Sequence, residues 1–175
     1  LHKVMTNPGY KVLIVTPYEV QAEELINTIR ELIYKFKDGY GTYKDLVMKD
    51  VKSPSYHMVF SNRSRIRGFT TGSSGAGSVR GQSADLIVLD EVDYMNDADI
   101  DSISAILADN PRTEMWMAST PTGKKGRFYE RCHNKGYKEF HFPSYVLPHY
   151  DDELDDEFRT GLTNIGYVHE ITAEF

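Results

Sequence analysis

The hydrophobic positions of the chain follow two patterns. Near-continuous runs of apolar residues, many of them β-branched, are typical of strands that are buried in a parallel sheet. Runs of this kind fill residues 11–16, 84–90 and 114–118. Between Val20 and Ile33 the apolar residues recur instead every three or four positions, which predicts a helix.

Shorter patterns predict the remaining elements. We expect further strands over residues 56–60, 65–69 and 138–142, further helices over about 97–107 and 128–134, and a Gly- and Ser-rich loop over 70–81. Strands that alternate with helices predict an α/β fold, with a three-layer, mostly parallel sheet flanked by helices.

Polar side chains follow three of the predicted strands where those strands end. Thr16 ends the first, the pair Asp90–Glu91 ends the second, and the pair Ser119–Thr120 follows the third. Ligands of such sheets bind beyond the carboxyl ends of the strands. These residues are therefore the first candidates for a functional site.

The segment LIVLDEVD, residues 86–93, has the form of a Walker B strand followed by a glutamate. A buried strand would hold Asp90 where its carboxylate orients Mg²⁺, and Glu91 could polarise a water that attacks a γ-phosphate. A buried strand followed by an acidic turn is an equally simple explanation. We expect Asp93 to be a surface residue or a helix cap.

Two further sites have a functional and a plain explanation. The hydroxyls of Ser119 and Thr120 could couple hydrolysis to movement, although Ser, Thr, Pro and Gly are also ordinary turn residues. Arg80, just before the Asp90 strand, could act as an arginine finger on a γ-phosphate, or pair with a surface carboxylate.

Composition narrows the class of protein. Hydrophobic residues make up 40% of the 175 residues, enough for one sizeable core, and the single Cys132 allows no internal disulfide. No apolar run approaches the roughly 20 residues that span a bilayer. The net charge of −6 is concentrated in residues 148–175, which hold eight acidic residues and one basic residue. Charge alone therefore does not decide whether the partner is nucleic acid.

The ordered motifs resemble the large terminase subunit of tailed phages. The resemblance rests on RGQSADLIVLDEVD (80–93), STPTGKKGRFY (119–129), VLIVTPYEVQ (12–21) and GYVHEITAEF (166–175). It implies a P-loop NTPase fold of the ASCE, RecA-like type, with Asp90 as the Walker B aspartate that orients Mg²⁺ and ATP. It also implies Glu91 as the catalytic glutamate, Ser119 and Thr120 as the coupling motif, and Arg80 as the finger.

The resemblance also implies a biological setting. Large terminases drive double-stranded DNA into procapsids, with a portal and a small terminase subunit as partners and a ring of identical subunits as the assembled form. The expected location is the cytoplasm of an infected or lysogenic bacterial host. We expect residues 1–150 to form a partial ATPase core, and residues 151–175 an acidic segment that leads to an absent nuclease domain.

One departure from the family pattern is large. No G-x-x-x-x-G-K-[ST] motif occurs in the 175 residues, so we expect an N-terminally truncated fold that hydrolyses essentially no ATP on its own. Two other functions stay open. One is a DExD-type DNA helicase or translocase, and the other is a degenerate NTPase fold kept as a non-catalytic scaffold.

Overall fold

A computed structural model describes residues 1–35, 43–52, 55–72, 77, 79–134 and 136–175. The elements are α1 (His2–Thr6), β1 (Lys11–Thr16), α2 (Glu19–Lys35), α3 (Tyr43–Leu46), β2 (Val47–Val51), β3 (Tyr56–Phe60), β4 (Arg65–Thr70), β5 (Leu86–Asp90), α4 (Asp97–Ser104), β6 (Glu114–Ala118), α5 (Arg127–Cys132), α6 (Asp152–Gly161) and α7 (Asn164–Glu170). Short 3-10 helices cover Val92–Tyr94, Ala105–Ala108 and Ser144–Val146.

The chain divides into two compact units, Leu1–Ala118 and Ser119–Phe175. The first unit holds a six-stranded sheet in the order β2-β3-β4-β1-β5-β6. The strands β4, β1, β5 and β6 are mutually parallel, whereas β2 and β3 pair antiparallel at one end. The predicted α/β fold, a mostly parallel sheet flanked by helices, is confirmed.

One face of the sheet is buried against α2. Strand β3 alternates buried and half-exposed residues, which is the pattern of a strand with one covered face. Its buried residues Tyr56, Met58 and Phe60 join Ile26 and Ile33 of α2 in one hydrophobic cluster. Burial of each such side chain contributes roughly 1.5–3 kcal/mol. This packing fixes which face of β2, β3 and β4 is left for other contacts.

The parallel strands differ in how deeply they are buried. Val15 of β1 and Ile87 and Leu89 of β5 are completely buried, as their continuous hydrophobic runs predict. Strand β6 is confirmed as a strand, but the prediction that it is buried is wrong. It ends the described sheet, and Trp116 in its middle is 53% exposed.

Most helix predictions in the first unit are confirmed. The helical spacing after Val20 corresponds to α2, and the helix expected from residue 97 corresponds to α4 and the 3-10 turn that follows it. Part of the predicted loop over 70–81, namely residues 73–76 and 78, lies outside the described residues. Strand β2 was not predicted, and it extends the sheet by one antiparallel pairing with β3.

The second unit contains α5, α6 and α7. The predicted strand over residues 138–142 is wrong, because the structure places these residues outside any strand. Phe140 and Phe142 are 65% and 72% exposed, so the alternating side chains meet no core. The acidic segment begins a helix: the carboxylate of Asp151 caps α6 by accepting a hydrogen bond from the backbone N–H of Leu154 (2.9 Å).

Among the described residues, no helix combines the length and the apolar character that crossing a membrane requires.

Candidate active site

The candidate site begins at the carboxyl edge of the parallel strands. Strand β5 buries Leu86, Ile87 and Leu89 and ends at the half-buried Asp90. Asp90 pairs in register with Ala118, the last residue of β6, and Leu89 pairs with Val15 of β1 on the other side. A strand that is hydrogen-bonded on both sides is a rigid support. The backbone of Asp90 is therefore held at the edge where ligands of such sheets bind.

The backbone changes direction abruptly after Asp90. Glu91 has φ 52° and ψ 43°, the left-handed conformation that non-glycine residues rarely adopt. The carbonyl of Glu91 accepts a hydrogen bond from the N–H of Tyr94 (3.1 Å), which starts the 3-10 helix Val92–Tyr94. Such a conformation costs on the order of 1–3 kcal/mol and clusters at functional sites. This local strain supports a functional assignment of the pair Asp90–Glu91.

A third carboxylate lies in the same turn. Asp93 is only 4% exposed, so the prediction of a surface residue or helix cap is wrong. It lies in the chain between the buried residues Val92 and Met95, and it is not without an interaction partner. A buried carboxyl group needs such partners because it has lost its hydration. The signal available in the sequence was its position between two apolar residues.

Thr16 ends β1 at the same edge of the sheet and is completely buried. Its hydroxyl donates a hydrogen bond to the carbonyl of Tyr18 (2.7 Å), and its own carbonyl accepts one from the N–H of Thr71 (3.0 Å). These bonds fix the exits of β1 and β4, so Thr16 supports the edge as a structural residue.

The hydroxyl pair belongs to the second unit. Ser119 and Thr120 follow β6 directly in the chain, and the Ser119 hydroxyl donates a hydrogen bond to the carbonyl of Thr120 (3.0 Å). The same segment turns at Gly123, where φ is +77°. A Cβ atom at Gly123 would lie 2.9 Å from the ring of His169 in α7. The segment is therefore in direct contact with the helix near the end of the chain.

Arg80 is exposed and lies beside α4. Its guanidinium donates a hydrogen bond to the hydroxyl of Ser102 (3.2 Å), and this hydroxyl donates in turn to the carbonyl of Ala98 (2.8 Å). Gly81 follows with φ +76°, a left-handed turn that leads into β5. At this exposed site water competes for the charged donor, so the hydrogen bond contributes little net stability. The Arg80 side chain can therefore be redirected at little cost.

The carboxylates at the carboxyl edge of the parallel strands are suited to a metal ion that also binds the phosphates of a nucleotide. No group of three or more His, Cys, Asp or Glu side chains that could hold a metal ion occurs in the described ranges. Magnesium at phosphate sites is usually held by one or two carboxylates together with phosphate oxygens and water. The donor set around Asp90 therefore fits Mg²⁺ that arrives with phosphates, rather than a metal caged by protein alone.

A sheet of this topology, with an Asp–Glu pair at its carboxyl edge, defines the P-loop NTPase class of folds. The family model of DEAD/DEAH box helicases matches residues 1–126. The chain belongs to this DEAD/DEAH box helicase family. None of the curated proteins matches it.

Several solved structures have the same fold. The large terminase ATPase domain of Thermus phage P74-26 is 20% identical, with a TM-score of 0.72, and the match covers 99% of this chain and 79% of that chain. The large terminase of another thermophilic bacteriophage is 15% identical, with a TM-score of 0.70 and coverage of 97% and 42%. Its complex with ATP-gamma-S is 13% identical, with a TM-score of 0.67 and coverage of 96% and 40%. The resemblance to large terminases is confirmed for the fold.

Proposed function

We propose that this chain is the ATPase part of a motor that moves double-stranded DNA into viral procapsids, as a large terminase does. The observation that carries the proposal is the pair Asp90–Glu91, which joins a rigid strand end to a strained left-handed residue at the ligand edge of the sheet. A scaffold without catalysis has no need to maintain such strain beside two carboxylates. The complex of a phage large terminase with ATP-gamma-S supports nucleotide as the ligand.

In this proposal each residue has one task. Asp90 binds Mg²⁺, directly or through water, and Mg²⁺ neutralises phosphate charge when it is bound with ATP. Glu91 accepts a proton from the attacking water. Arg80 leaves Ser102 and contacts the γ-phosphate, in its own subunit or in a neighbouring one. Ser119 and Thr120 sense the γ-phosphate, and the contact of Gly123 with His169 carries the change to α7.

The proposal includes the assembly and its partners. The working form is a ring of identical subunits that engages double-stranded DNA, a portal and a small terminase subunit in the host cytoplasm. The 175 residues contain no G-x-x-x-x-G-K-[ST], so hydrolysis needs a phosphate-binding loop from outside this sequence. The chain alone is then expected to bind ATP poorly and to hydrolyse essentially none.

The test is Mg²⁺-dependent ATP hydrolysis by the protein extended upstream through a phosphate-binding loop. Three proteins are compared: the extended protein, the same protein with Glu91→Ala, and the 175 residues alone. We expect turnover only in the first and a loss of ~10²-fold or more in the variant. Equal turnover with and without Glu91 would remove this residue from the mechanism. Turnover by the 175 residues alone would show that the phosphate loop is dispensable.

A second candidate is a helicase, because the family model that matches residues 1–126 is that of DEAD/DEAH box helicases. A helicase separates the strands of a duplex, whereas a packaging motor moves along an intact duplex. Strand displacement from a labelled duplex, measured beside displacement of a third strand from a triplex, distinguishes the two. Third-strand displacement without strand separation supports packaging, and ATP-driven strand separation supports the helicase.

A further inference from the structure

The two faces of the antiparallel end of the sheet carry opposite charge. On one side lies α2, whose exposed surface carries four glutamates: Glu19, Glu23, Glu24 and Glu31. On the other side the strand register brings basic residues into rows. Lys49 of β2 pairs with Val59 of β3, Val59 pairs with Arg65 of β4, and Arg65 pairs with Lys11 of β1. Paired residues share a face, so one row crosses four strands.

A second row lies next to the first. Val51 of β2 pairs with His57 of β3, and His57 pairs with Arg67 of β4. The two rows together contain Lys11, Lys49, Arg65 and Arg67; we call these four residues the basic face. One carboxylate, that of Asp85, borders it at Lys11, whose backbone N–H donates a hydrogen bond to Asp85 Oδ2 (2.9 Å). Lys49 is exposed, Lys11, Arg65 and Arg67 are half-exposed, and in β3 and β4 the residues of this face alternate with buried ones. This face is therefore in contact with solvent at its cations. Neighbouring strands are about 5 Å apart, so the charges lie within reach of one another.

Two nitrogen atoms of these rows have no hydrogen-bond partner among the described residues. They are the Nε atom of Arg67 and the Nε2 atom of His57, and both are buried. Burial lowers the pKa of His57, and the nearby charges of Arg67, Lys49 and Arg65 lower it further. The electrostatic potential at this face is therefore positive. An anion bound there would relieve the mutual repulsion of these side chains.

The basic face is separate from the nucleotide edge. Lys11 and Arg65 are the first residues of the parallel strands β1 and β4, whereas Asp90 is the last residue of β5. The two sites therefore lie at opposite ends of the parallel strands, and these cations cannot be ligands of ATP phosphates at Asp90. The guanidinium of Arg67 donates a hydrogen bond to Gln82, two residues after Arg80 in the chain.

We propose that the basic face, formed by Lys11, Lys49, Arg65 and Arg67, binds the phosphate backbone of double-stranded DNA. This inference rests on the proposed function and specifies which surface of the motor contacts its substrate. Lysine and arginine contacts to phosphates carry no base specificity, which suits a motor that must accept any sequence. The residues between the cations are valines and a histidine rather than exposed aromatic platforms, so we expect intact duplex to be preferred over single strands.

The test measures duplex binding by fluorescence anisotropy at several salt concentrations. Each phosphate contact contributes roughly 0.9 to the slope of log K against log salt. Lys49→Gln combined with Arg65→Gln should lower the slope by about 2 and weaken low-salt binding at least about 10-fold. The matched control is Lys35→Gln, an exposed lysine on α2 that faces away from the basic face. It should leave the slope unchanged.

A second measurement does not depend on any substitution in the basic face. The pKa of His57, followed by NMR, should rise when duplex is added, because phosphate charge offsets the surrounding cations. No rise at saturating duplex would overturn the assignment. Circular dichroism of each variant verifies that the fold is retained.

The possible outcomes distinguish an error in the assigned DNA-binding surface from an error in the proposed function. If the unaltered chain binds duplex and the double variant binds equally well, the surface is wrong and the motor proposal stands. If binding is lost instead with Lys124→Gln and Lys125→Gln, the DNA surface lies in the second unit. If the double variant no longer self-associates but still binds DNA, the partner that binds the basic face is an acidic segment of a second copy of this chain. If the unaltered chain binds no duplex at low salt, the basic face is not a DNA site, and the hydrolysis test of the extended protein decides the proposed function separately.

Discussion

The imidazole of His169 lies against Gly123, so close that a Cβ atom at position 123 would come within 2.9 Å of both Cε1 and Nε2 of the ring. The ring is held in this place by a hydrogen bond between its Nδ1 atom and the carbonyl of Glu174 (2.8 Å). Gly123 also has φ +77°, which disfavours any side chain. The turn after Ser119 and Thr120 is thus fitted to α7 in shape and in backbone conformation.

Gly123→Ala should therefore destabilise the second unit by about 2 kcal/mol, from left-handed strain and from contact with His169. A double-mutant cycle with His169→Ala should recover part of the loss, because the ring is gone while the strain stays. Gly161→Ala is the control, since a Cβ there meets nothing within 4 Å and needs no unusual φ. Thermal unfolding followed by circular dichroism measures all four. Full additivity of the two substitutions would contradict the contact.

Glu91→Gly should raise the free energy of unfolding by about 1 kcal/mol, because glycine adopts φ 52° without the cost that a side chain brings. Glu91→Ala is the matched control. It removes the same carboxylate but keeps a Cβ atom in the strained conformation, so it should bring no gain. The measurement is the denaturant midpoint of each variant. Equal stability of the glycine and alanine variants would mean that Glu91 is not strained.

The central strands could be predicted from the sequence, because a strand buried on both faces requires a continuous apolar run. The runs at β1 and β5 have no other simple explanation. Strand β2 carries Val47, Lys49 and Asp50, and its mixed pattern does not separate it from a loop. Its existence depends on pairing with β3, which is a non-local property.

Residues 138–142 show the same limit of sequence-based prediction, here for a strand that was predicted but does not form at these residues. Their alternation of charged and aromatic residues resembles that of a strand, and Phe140 and Phe142 do stack with ring centroids 6.3 Å apart. A strand nevertheless requires a neighbour for its backbone groups. The alternation therefore indicates an extended chain, and only the structure shows whether that chain is paired.

The position of the candidate site followed from the sequence, whereas its local geometry did not. Asp90 was identifiable because it ends a hydrophobic run. The left-handed backbone of Glu91 could not be expected, since glutamate seldom adopts it. The burial of Asp93, in the 3-10 helix that follows Glu91, runs against the general exposure of aspartate.

The ion pair of Arg30 with Asp50 anchors α2 on β2. The Arg30 guanidinium donates from Nε to Asp50 Oδ2 (2.9 Å) and from Nη2 to Oδ1 (2.7 Å), and the two side chains are only 10% and 13% exposed. Asp50→Ala should destabilise the chain by about 3 kcal/mol, because it leaves a buried guanidinium without its counter-charge. The measurement is urea unfolding.

Two comparisons isolate the effect of burial in this pair. Arg30→Met together with Asp50→Leu should regain most of the loss, since a well-packed apolar pair can replace a buried ion pair. Glu130→Ala breaks the exposed pair Arg127–Glu130 and should cost less than about 1 kcal/mol. A double variant that is as unstable as Asp50→Ala would show that an apolar pair does not replace the ion pair at this site.

The second unit should lose stability in acid through Asp155. Its Oδ1 atom accepts hydrogen bonds from the hydroxyls of Tyr150 (2.6 Å) and Tyr167 (2.5 Å), and its Oδ2 atom accepts one from Arg159 (2.6 Å). These donors, Tyr150 foremost, lower the pKa of Asp155 from 3.8 to about 2. Below pH 3.8 the unfolded chain binds a proton that the folded chain does not. Stability is therefore complete above about pH 4 and declines toward pH 2.

Asp155→Asn should remove this part of the pH dependence and lower stability at neutral pH, because the amide loses its charge-assisted bonds. Asp152→Asn changes an exposed carboxylate in the first turn of α6 and serves as the control. Acid titrations followed by circular dichroism compare the three proteins, and NMR of the Asp155 carboxyl gives its pKa directly. A pKa near 3.8, or an acid transition that Asp155→Asn leaves in place, would assign the acid sensitivity to other groups.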